Sequence, residues 1–291
     1  HHSSNPFSSG IPSMPEEMKK LFGEYPNGRL NADDAGALPF QIGEENGKVV
    51  IVFPKPVAWI GFTSDQAMEI AKNFDGNMTV NSAGALIFNA WADQLTRNLF
   101  SRLGNLFTEN YGNRNFRGAL LKQIQNPNSP WCNDPQTEQI ESCADASNAA
   151  FGKALEQLSG QFGNNPKNWA WGNAHIAVSE HRPLSKVPLL GSFFNLTQAF
   201  PGDSFSVNVG RLELLRADNP FETKQAPSLR TIYDLSDLEQ SLFIYQTGQS
   251  GWVQNKLYRN MSALWARNEY LPLQMKPQKT SRQLDLNIKE K

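Results

Sequence analysis

The sequence predicts an α+β fold with its helices early and its strands late. Between residues 82 and 158, two long stretches repeat apolar residues at three- and four-residue steps, which is the helical period. After residue 200, short β-branched or alternating stretches replace them. Segregated blocks of this kind, rather than a strict alternation of helix and strand, mark an α+β architecture. The chain of 291 residues is long enough for one large domain or two modest ones. Its 39% hydrophobic and 19% charged residues support a packed core and argue against wholesale disorder.

Residues 1–45 carry Pro, Gly, Ser and Asn at short intervals without a sustained period, and read as an irregular, extended arm. Residues 49–53 read as a strand closed by Pro54 and Pro56. Thr63-Ser64-Asp65-Gln66 has the pattern of a capping box and opens a short helix to about Asn73. The clearest helix runs from Ser82 to about Leu103. Its Leu86, Phe88, Trp91, Leu95, Leu99 and Phe100 form one wide apolar face, as a core helix requires. A second helix, about 146–158, turns Phe151, Ala154, Leu155 and Leu158 inward, with Gly160 as its stop signal. Phe205, Val207 and Val209 alternate with polar residues as in a half-buried strand. Residues 229–235 and 242–247 read as two strands joined by the polar turn Ser236-Asp237-Leu238-Glu239. A third helix is expected from near Trp252, with Leu257, Met261, Leu264 and Trp265 on one face. Past Leu273 the tail is polar and charged, a surface strap or frayed end.

Lys+Arg 27 against Asp+Glu 28 leaves a net charge of -1, so no basic excess points to nucleic acid or an anionic membrane. No apolar run approaches the roughly 20 residues needed to span a bilayer. The expectation is a soluble chain without nucleic-acid or membrane partners. Of four histidines, His1 and His2 read as a purification-tag remnant, which leaves His175 and His181 as candidates for a general base. Cys132 and Cys143 lie in a polar, turn-rich stretch that reads as an exposed loop. A disulfide between them is the favoured reading and implies an oxidising compartment. Two free thiols are the alternative. A zinc site is weaker, because Cys-x10-Cys with His-x5-His does not match the usual ligand spacings.

Gly248-Gln249-Ser250-Gly251 invites comparison with a nucleophile elbow, but Gly-x-Ser-x-Gly fails at Trp252. The ordinary use of such a sequence is a tight turn, with Ser250 capping a helix. No Lys-Ser or Lys-Thr follows, so a phosphate loop is unsupported. His175, in Trp169-Ala170-Trp171-Gly172-Asn173-Ala174-His175, and His181, in His181-Arg182-Pro183-Leu184, both read as structural histidines before they read as bases or ligands. Asp234 interrupts the strand-like Thr231-Ile232-Tyr233-Asp234-Leu235, and Asp237 follows three residues later. Such a pair serves acid/base work in some sites and forms turns in many others.

Several of these segments occur in a telling order: Trp169-Ala170-Trp171-Gly172-x-x-His175, His181-Arg182-Pro183-Leu184, Ala226-Pro227-Ser228-Leu229-Arg230, Asp234-Leu235-Ser236 and Thr247-Gly248-Gln249-Ser250-Gly251. Tyr258 and Trp265-Ala266-Arg267-Asn268-Glu269-Tyr270-Leu271-Pro272-Leu273 follow. Together they resemble the C-terminal part of the β chain of the penicillin acylase family, which includes penicillin, cephalosporin and acyl-homoserine-lactone acylases. Phe74-Asp75-Gly76-Asn77-Met78 and the cysteine pair also fit. The resemblance covers roughly residues 73–275. It implies an N-terminal arm at 1–72 and an acylase β-chain-like domain at 73–291.

Members of this family are N-terminal-nucleophile hydrolases with an α/β/β/α sandwich, here with added helices. The resemblance implies a self-cleaving precursor, a Ser whose own α-amino group is the base, and an acyl-enzyme intermediate. Its substrates would be acylated small molecules such as β-lactams or N-acyl-homoserine lactones. Little of that machinery is in this sequence: the chain begins with His1, Ser4-Asn5 is not followed by the family's pattern, and no oxyanion Asn can be assigned. Only the acid from late in the β chain has a counterpart, Asp234, which would orient a histidine donated by another chain. The implied protein is one piece of a periplasmic or secreted acylase, inactive alone. Its partner chain or chains would carry the nucleophile and the oxyanion residues. The resemblance implies no cofactor in this chain and allows calcium in the full assembly. A non-catalytic relative that kept the scaffold is the alternative.

Overall fold

A computed structural model describes residues 41–45, 48–52, 62–112, 115–126, 128–182, 184–187 and 189–273. The expected tail past Leu273, most of the expected arm, and Pro54 and Pro56 fall outside them. The described residues form two compact units. One holds those up to Asn77 together with Ser82–Ala170; the other holds Met78–Asn81 and those from Trp171 onward. Helices and sheets are both present, as an α+β chain requires.

The first unit opens with strands β1 (Gln41–Glu45) and β2 (Lys48–Val52), paired antiparallel with Gln41 opposite Val52. β2 answers the expected strand at 49–53. β1 corrects the reading of 41–45 as irregular. Its pattern is weak, but the intervening Asn46-Gly47 is a strong hairpin signal, and pairing with β2 supplies the ladder. Helix α1 (Phe62–Lys72) starts one residue before Thr63, so Thr63 lies in its first turn rather than at its cap.

Helix α2 (Ala83–Phe100) is capped by Ser82, whose Oγ accepts from the Ala85 N–H at 3.0 Å. One apolar face was expected, yet the helix is buried nearly all round, and Asn89, Asp93 and Thr96 are buried with Leu86, Trp91 and Leu95. Their polar groups are satisfied. Asn89 and Thr96 bond carbonyls four residues back, and Asp93 meets Arg97 at 3.0 Å and the Tyr111 hydroxyl. Gly84 has no space for a side chain, since a Cβ there would lie 2.7 Å from the Phe74 ring. A single 3-10 turn (Ser101–Leu103) leads to α3 (Asn105–Asn110) and α4 (Asn115–Ile124).

Helix α5 (Cys143–Phe162) is longer than the expected 146–158. Ser142 and Asp145 form a reciprocal capping box at its start, and Gly163, at φ +82°, ends it. Gly160 is inside the helix and stops nothing, because its φ is ordinary and the positive φ falls three residues later. α5 packs on α2, where the Trp91 indole donates to Ser147 Oγ at 3.2 Å and Gln94 donates to Gln157 at 2.8 Å. Cys132 and Cys143 are disulfide-bonded. They are 4% and 1% exposed, not in an exposed loop, because the bridge seats the 129–133 turn against the first turn of α5.

The second unit contains α6 (Trp171–Ala174), β3 (Ile176–Ser179), α7 (Leu190–Phe194), β4 (Leu196–Ala199), β5 (Arg211–Leu212) and β6 (Thr223–Gln225). It continues with β7 (Leu229–Ile232), β8 (Leu242–Tyr245), α8 (Ser262–Ala266) and β9 (Leu271–Pro272). One sheet runs β4-β3-β6-β5, with β3 and β6 parallel; the other runs β7-β8-β9, all antiparallel. The core gathers Ala177, Phe200, Ile244, Met261, Trp265 and Ala266.

The hairpin β7–β8 falls on the expected strands but is shorter, ending at Ile232 and Tyr245, with Leu229 opposite Tyr245 and Ile232 opposite Leu242. Two expectations fail. Residues 205–209 form no strand, with bends at 204–208, and Val207 is fully exposed. The buried Asp203 is the cause: its Oδ1 accepts from the Phe205 N–H, the Ser206 N–H and the Ser206 hydroxyl at 2.8–2.9 Å, so those amides cannot join a ladder. The expected helix from Trp252 shrinks to α8, preceded by turns. There Asn255 Oδ1 accepts from the Leu257 N–H, and the Leu257 and Tyr258 carbonyls accept from Ser250 and Gly248. Among the described residues, no helix is long and apolar enough to cross a membrane.

Candidate functional site

The second unit holds His175, His181, Asp234 and Ser250. His175 follows α6, where its N–H donates to the Trp171 carbonyl at 2.8 Å. The ring is fully buried and stacks on the Trp171 indole at 4.6 Å. Nδ1 lies 2.7 Å from the Phe221 carbonyl, a distance that places the ring proton on Nδ1. Burial pushes the pKa down to about 4, against the opposing pull of the Phe221 carbonyl and the Asp203 charge. The ring is therefore neutral at pH 7. Gly210 closes the pocket, since a Cβ there would come within 2.3 Å of Nε2. No substrate can reach this histidine. It is structural, as expected.

His181 is half-buried, with its ring beside those of Phe194 at 5.5 Å and Tyr258 at 6.0 Å. Its N–H donates to Asn195 Oδ1 at 2.9 Å, and the Tyr258 hydroxyl donates to the Phe194 carbonyl. Two sequence motifs far apart in the chain thus meet here as packing. Ser250 is a turn residue: Oγ accepts from the Trp252 N–H at 3.1 Å, and its own N–H donates to the Leu257 carbonyl at 3.3 Å. Gly248 admits no side chain, because a Cβ would fall 1.7 Å from the Leu257 carbonyl oxygen.

Asp234 sits just past β7 at the start of the hairpin turn. Its Oδ1 accepts from the Ser236 N–H at 2.9 Å, the Ser236 hydroxyl at 2.6 Å and the Asp237 N–H at 3.3 Å. Its own N–H donates to Ser241 Oγ at 3.1 Å. The Ser236 hydroxyl and then the two backbone donors hold its carboxyl below the usual range, so it is ionised at neutral pH. All three accepted bonds run to one oxygen. Asp237 turns to the Glu239 N–H at 3.1 Å and caps the short 3-10 turn Leu238–Gln240. Among the described residues, no hydrogen bond or ion pair joins Asp234 to either histidine, or Ser250 to a base.

The motif residues instead lock backbone to backbone. Trp171 donates its indole N–H to the Gly202 carbonyl at 2.8 Å, and Trp265 to the Pro227 carbonyl at 2.8 Å. Arg230 donates to the Trp265 carbonyl at 2.8 Å and to Asn268 Oδ1 at 2.6 Å, with its guanidinium 5.2 Å from the Trp265 ring. These are the side chains of a scaffold.

A family model described as penicillin amidase matches residues 37–282 of this chain. The chain belongs to the penicillin amidase family. The family resemblance read from the motifs is therefore established. Curated relatives include the acyl-homoserine lactone acylase QuiP of Pseudomonas syringae pv. tomato, 24% identical over 213 residues, which are 70% of this chain and 26% of that protein. The proteins of the same name from Pseudomonas fluorescens Pf0-1 and Pseudomonas aeruginosa are 25% and 23% identical over 72% of this chain, covering 25% and 27% of their own lengths. The chain spans about a quarter of the length of these relatives.

Sequence reasoning missed Asp203, although Asp-Ser-x-Ser is a legible Asx-turn signal. It also missed the Asp93–Tyr111 contact, for which the only local sign was Asp93 four residues before Arg97. No group of three or more His, Cys, Asp or Glu that could hold a metal ion occurs among the described residues.

Proposed function

We propose that this chain is one part of an acylase that hydrolyses the amide bond of acylated small molecules, N-acyl-homoserine lactones or β-lactams, with its nucleophile on another chain. The observation that supports this most is a contrast. The family's motifs are present, yet every motif histidine, tryptophan and serine described above is engaged in packing or turns. A scaffold portion of a larger enzyme has that character. A complete active site would pair a nucleophile with a base.

In this reading a self-processed precursor gives a partner chain beginning with Ser. Its α-amino group activates its own hydroxyl, and that chain also brings the oxyanion donors. The sheets described here would belong to the α/β/β/α sandwich of such enzymes. The Cys132–Cys143 bridge fits a periplasmic or secreted location. Asp234 is the residue assigned to catalysis. Ionised and placed on a turn, it would accept from a histidine of the partner chain through Oδ2. The names of the relatives favour homoserine lactones over β-lactams.

The second reading is a non-catalytic relative of the same scaffold. It is favoured by the full use of Asp234 Oδ1 in its own turn. Intact mass and N-terminal sequencing of every chain that co-purifies separates the two. A companion beginning with Ser, Thr or Cys supports the acylase, and a lone chain supports the non-catalytic relative.

A further inference from the structure

Two neighbouring segments of the second unit expose large apolar side chains beside cations and carry no acid. Residues 181–202 include Arg182 and Lys186 but no Asp or Glu, and residues 246–260 include Lys256 and Arg259 but no Asp or Glu. On the first, Leu189 is 82% and Phe193 72% exposed; on the second, Trp252 is 69% exposed. Val187 and Leu257 are exposed beside them. All four cations are exposed, and among the described residues none of them is in an ion pair. The segments touch: the Tyr258 hydroxyl donates to the Phe194 carbonyl, and the His181 ring lies beside the rings of both. Their backbones are fixed. In the first, the Ser185 N–H donates to the His181 carbonyl at 2.7 Å; in the second, the Gly248 N–H donates to the Tyr258 carbonyl at 2.9 Å. Leu189 is held at φ +68°, a left-handed conformation that a bulky side chain adopts only at a cost, and its side chain gains no burial in return.

Charge sets this face apart and narrows its occupant. Other exposed apolar side chains of the unit sit among acids: Tyr233, Leu235 and Leu238 alternate with Asp234, Asp237 and Glu239, and Val207 lies four residues from Asp203. The net charge of -1 conceals the separation, because the cations of this face are balanced by acids elsewhere in the chain. A second copy docked by the same face would set cation against cation. An anionic lipid surface meets both requirements. Exposed aromatic and aliphatic side chains enter the headgroup region of a bilayer, and Lys and Arg beside them meet the lipid phosphates.

We infer that this face of the second unit rests on an anionic lipid bilayer without spanning it. Leu189, Phe193 and Trp252 insert at headgroup level, while Arg182, Lys186, Lys256 and Arg259 pair with lipid phosphates. The inference does not depend on the acylase reading: it concerns where the protein sits, not what it hydrolyses.

Flotation of the full chain, and of any assembly that contains it, with lipid vesicles tests this. Vesicles of equal parts phosphatidylglycerol and phosphatidylethanolamine should bind at least tenfold more tightly than phosphatidylcholine vesicles, and added salt should weaken that binding. Lys186→Gln with Lys256→Gln should weaken it at least tenfold, since each cation near such a surface contributes about fivefold. Leu189→Gly relieves the positive φ, so the melting temperature should hold or rise while vesicle binding falls several-fold. Val207→Ser, exposed outside this face, should leave binding unchanged. No flotation with anionic vesicles, equal binding to both compositions, or an unchanged affinity in the double lysine variant would each overturn the inference. So would an equal loss from Val207→Ser, or an assembly that stays off the vesicles while the chain alone floats, because another polypeptide then covers the face. Hydrolysis is measured separately: turnover without flotation refutes the lipid contact alone, and flotation without turnover counts against the acylase reading alone.

Discussion

His175 makes the stability of the second unit depend on pH in a calculable way. The unfolded chain binds a proton at this ring near pH 6.5, whereas the folded chain, with the ring buried against Trp171 and Phe221, binds it only near pH 4. The folded pKa is depressed, so the stabilisation is complete above pH 6.5 and is lost as pH falls toward 4. The drop from 6.5 to about 4 corresponds to about 3 kcal/mol in all, most of it gone by pH 4.5. Urea unfolding of the wild type and of His175→Gln, each at pH 7 and pH 4.5, isolates this contribution from other titrating groups. His175→Gln should be less stable at pH 7, because its amide replaces the Phe221 bond imperfectly, but should lose about 2–3 kcal/mol less than the wild type on acidification. Equal acid losses in the two proteins would refute the account of a buried neutral ring.

Other expectations follow from single contacts. Replacing Cys132 and Cys143 by Ser together should destabilise the first unit by about 3 kcal/mol, the chain-entropy value for so short a loop, seen as a lower urea midpoint. Gly248→Ala forces a Cβ onto the Leu257 carbonyl and should lower the melting temperature sharply, whereas Gly160→Ala, with open space around it, should be neutral or stabilising. Asp234→Asn in the full assembly keeps an acceptor oxygen for the Ser236 and Asp237 donors, so folding should hold while turnover falls at least tenfold. An unchanged rate would assign Asp234 to the turn alone.

Much of this fold was legible because periodicity is a local signal. The α2 and α5 helices and the β7–β8 hairpin declare themselves by spacing, and Ser82 marks its helix start. The misreadings arise where other hydrogen bonds or a distant turn override the local pattern. Alternation at 205–209 is a real strand pattern, but Asp203 takes the N–H groups that a ladder would need. Leu257, Met261, Leu264 and Trp265 keep helical spacing, yet the contacts of Gly248 and Ser250 with the 257–258 backbone close a loop first. The strand at 41–45 was missed because its evidence lies in the Asn46-Gly47 pair beyond it. The family was readable from ordered motifs because those motifs are scaffold locks, such as Trp265 on Pro227. For the same reason they say little about reacting groups, and Asp234 is the one candidate they single out.

The central claim is that this chain contributes structure and one orienting carboxylate to an acylase whose nucleophile lies elsewhere. Release of free amine from an N-acyl-homoserine lactone, measured on the purified chain alone and on its complex with the co-purifying chain, tests it most directly. The account predicts no turnover from the chain alone and turnover from the complex. Turnover by the chain alone would contradict it.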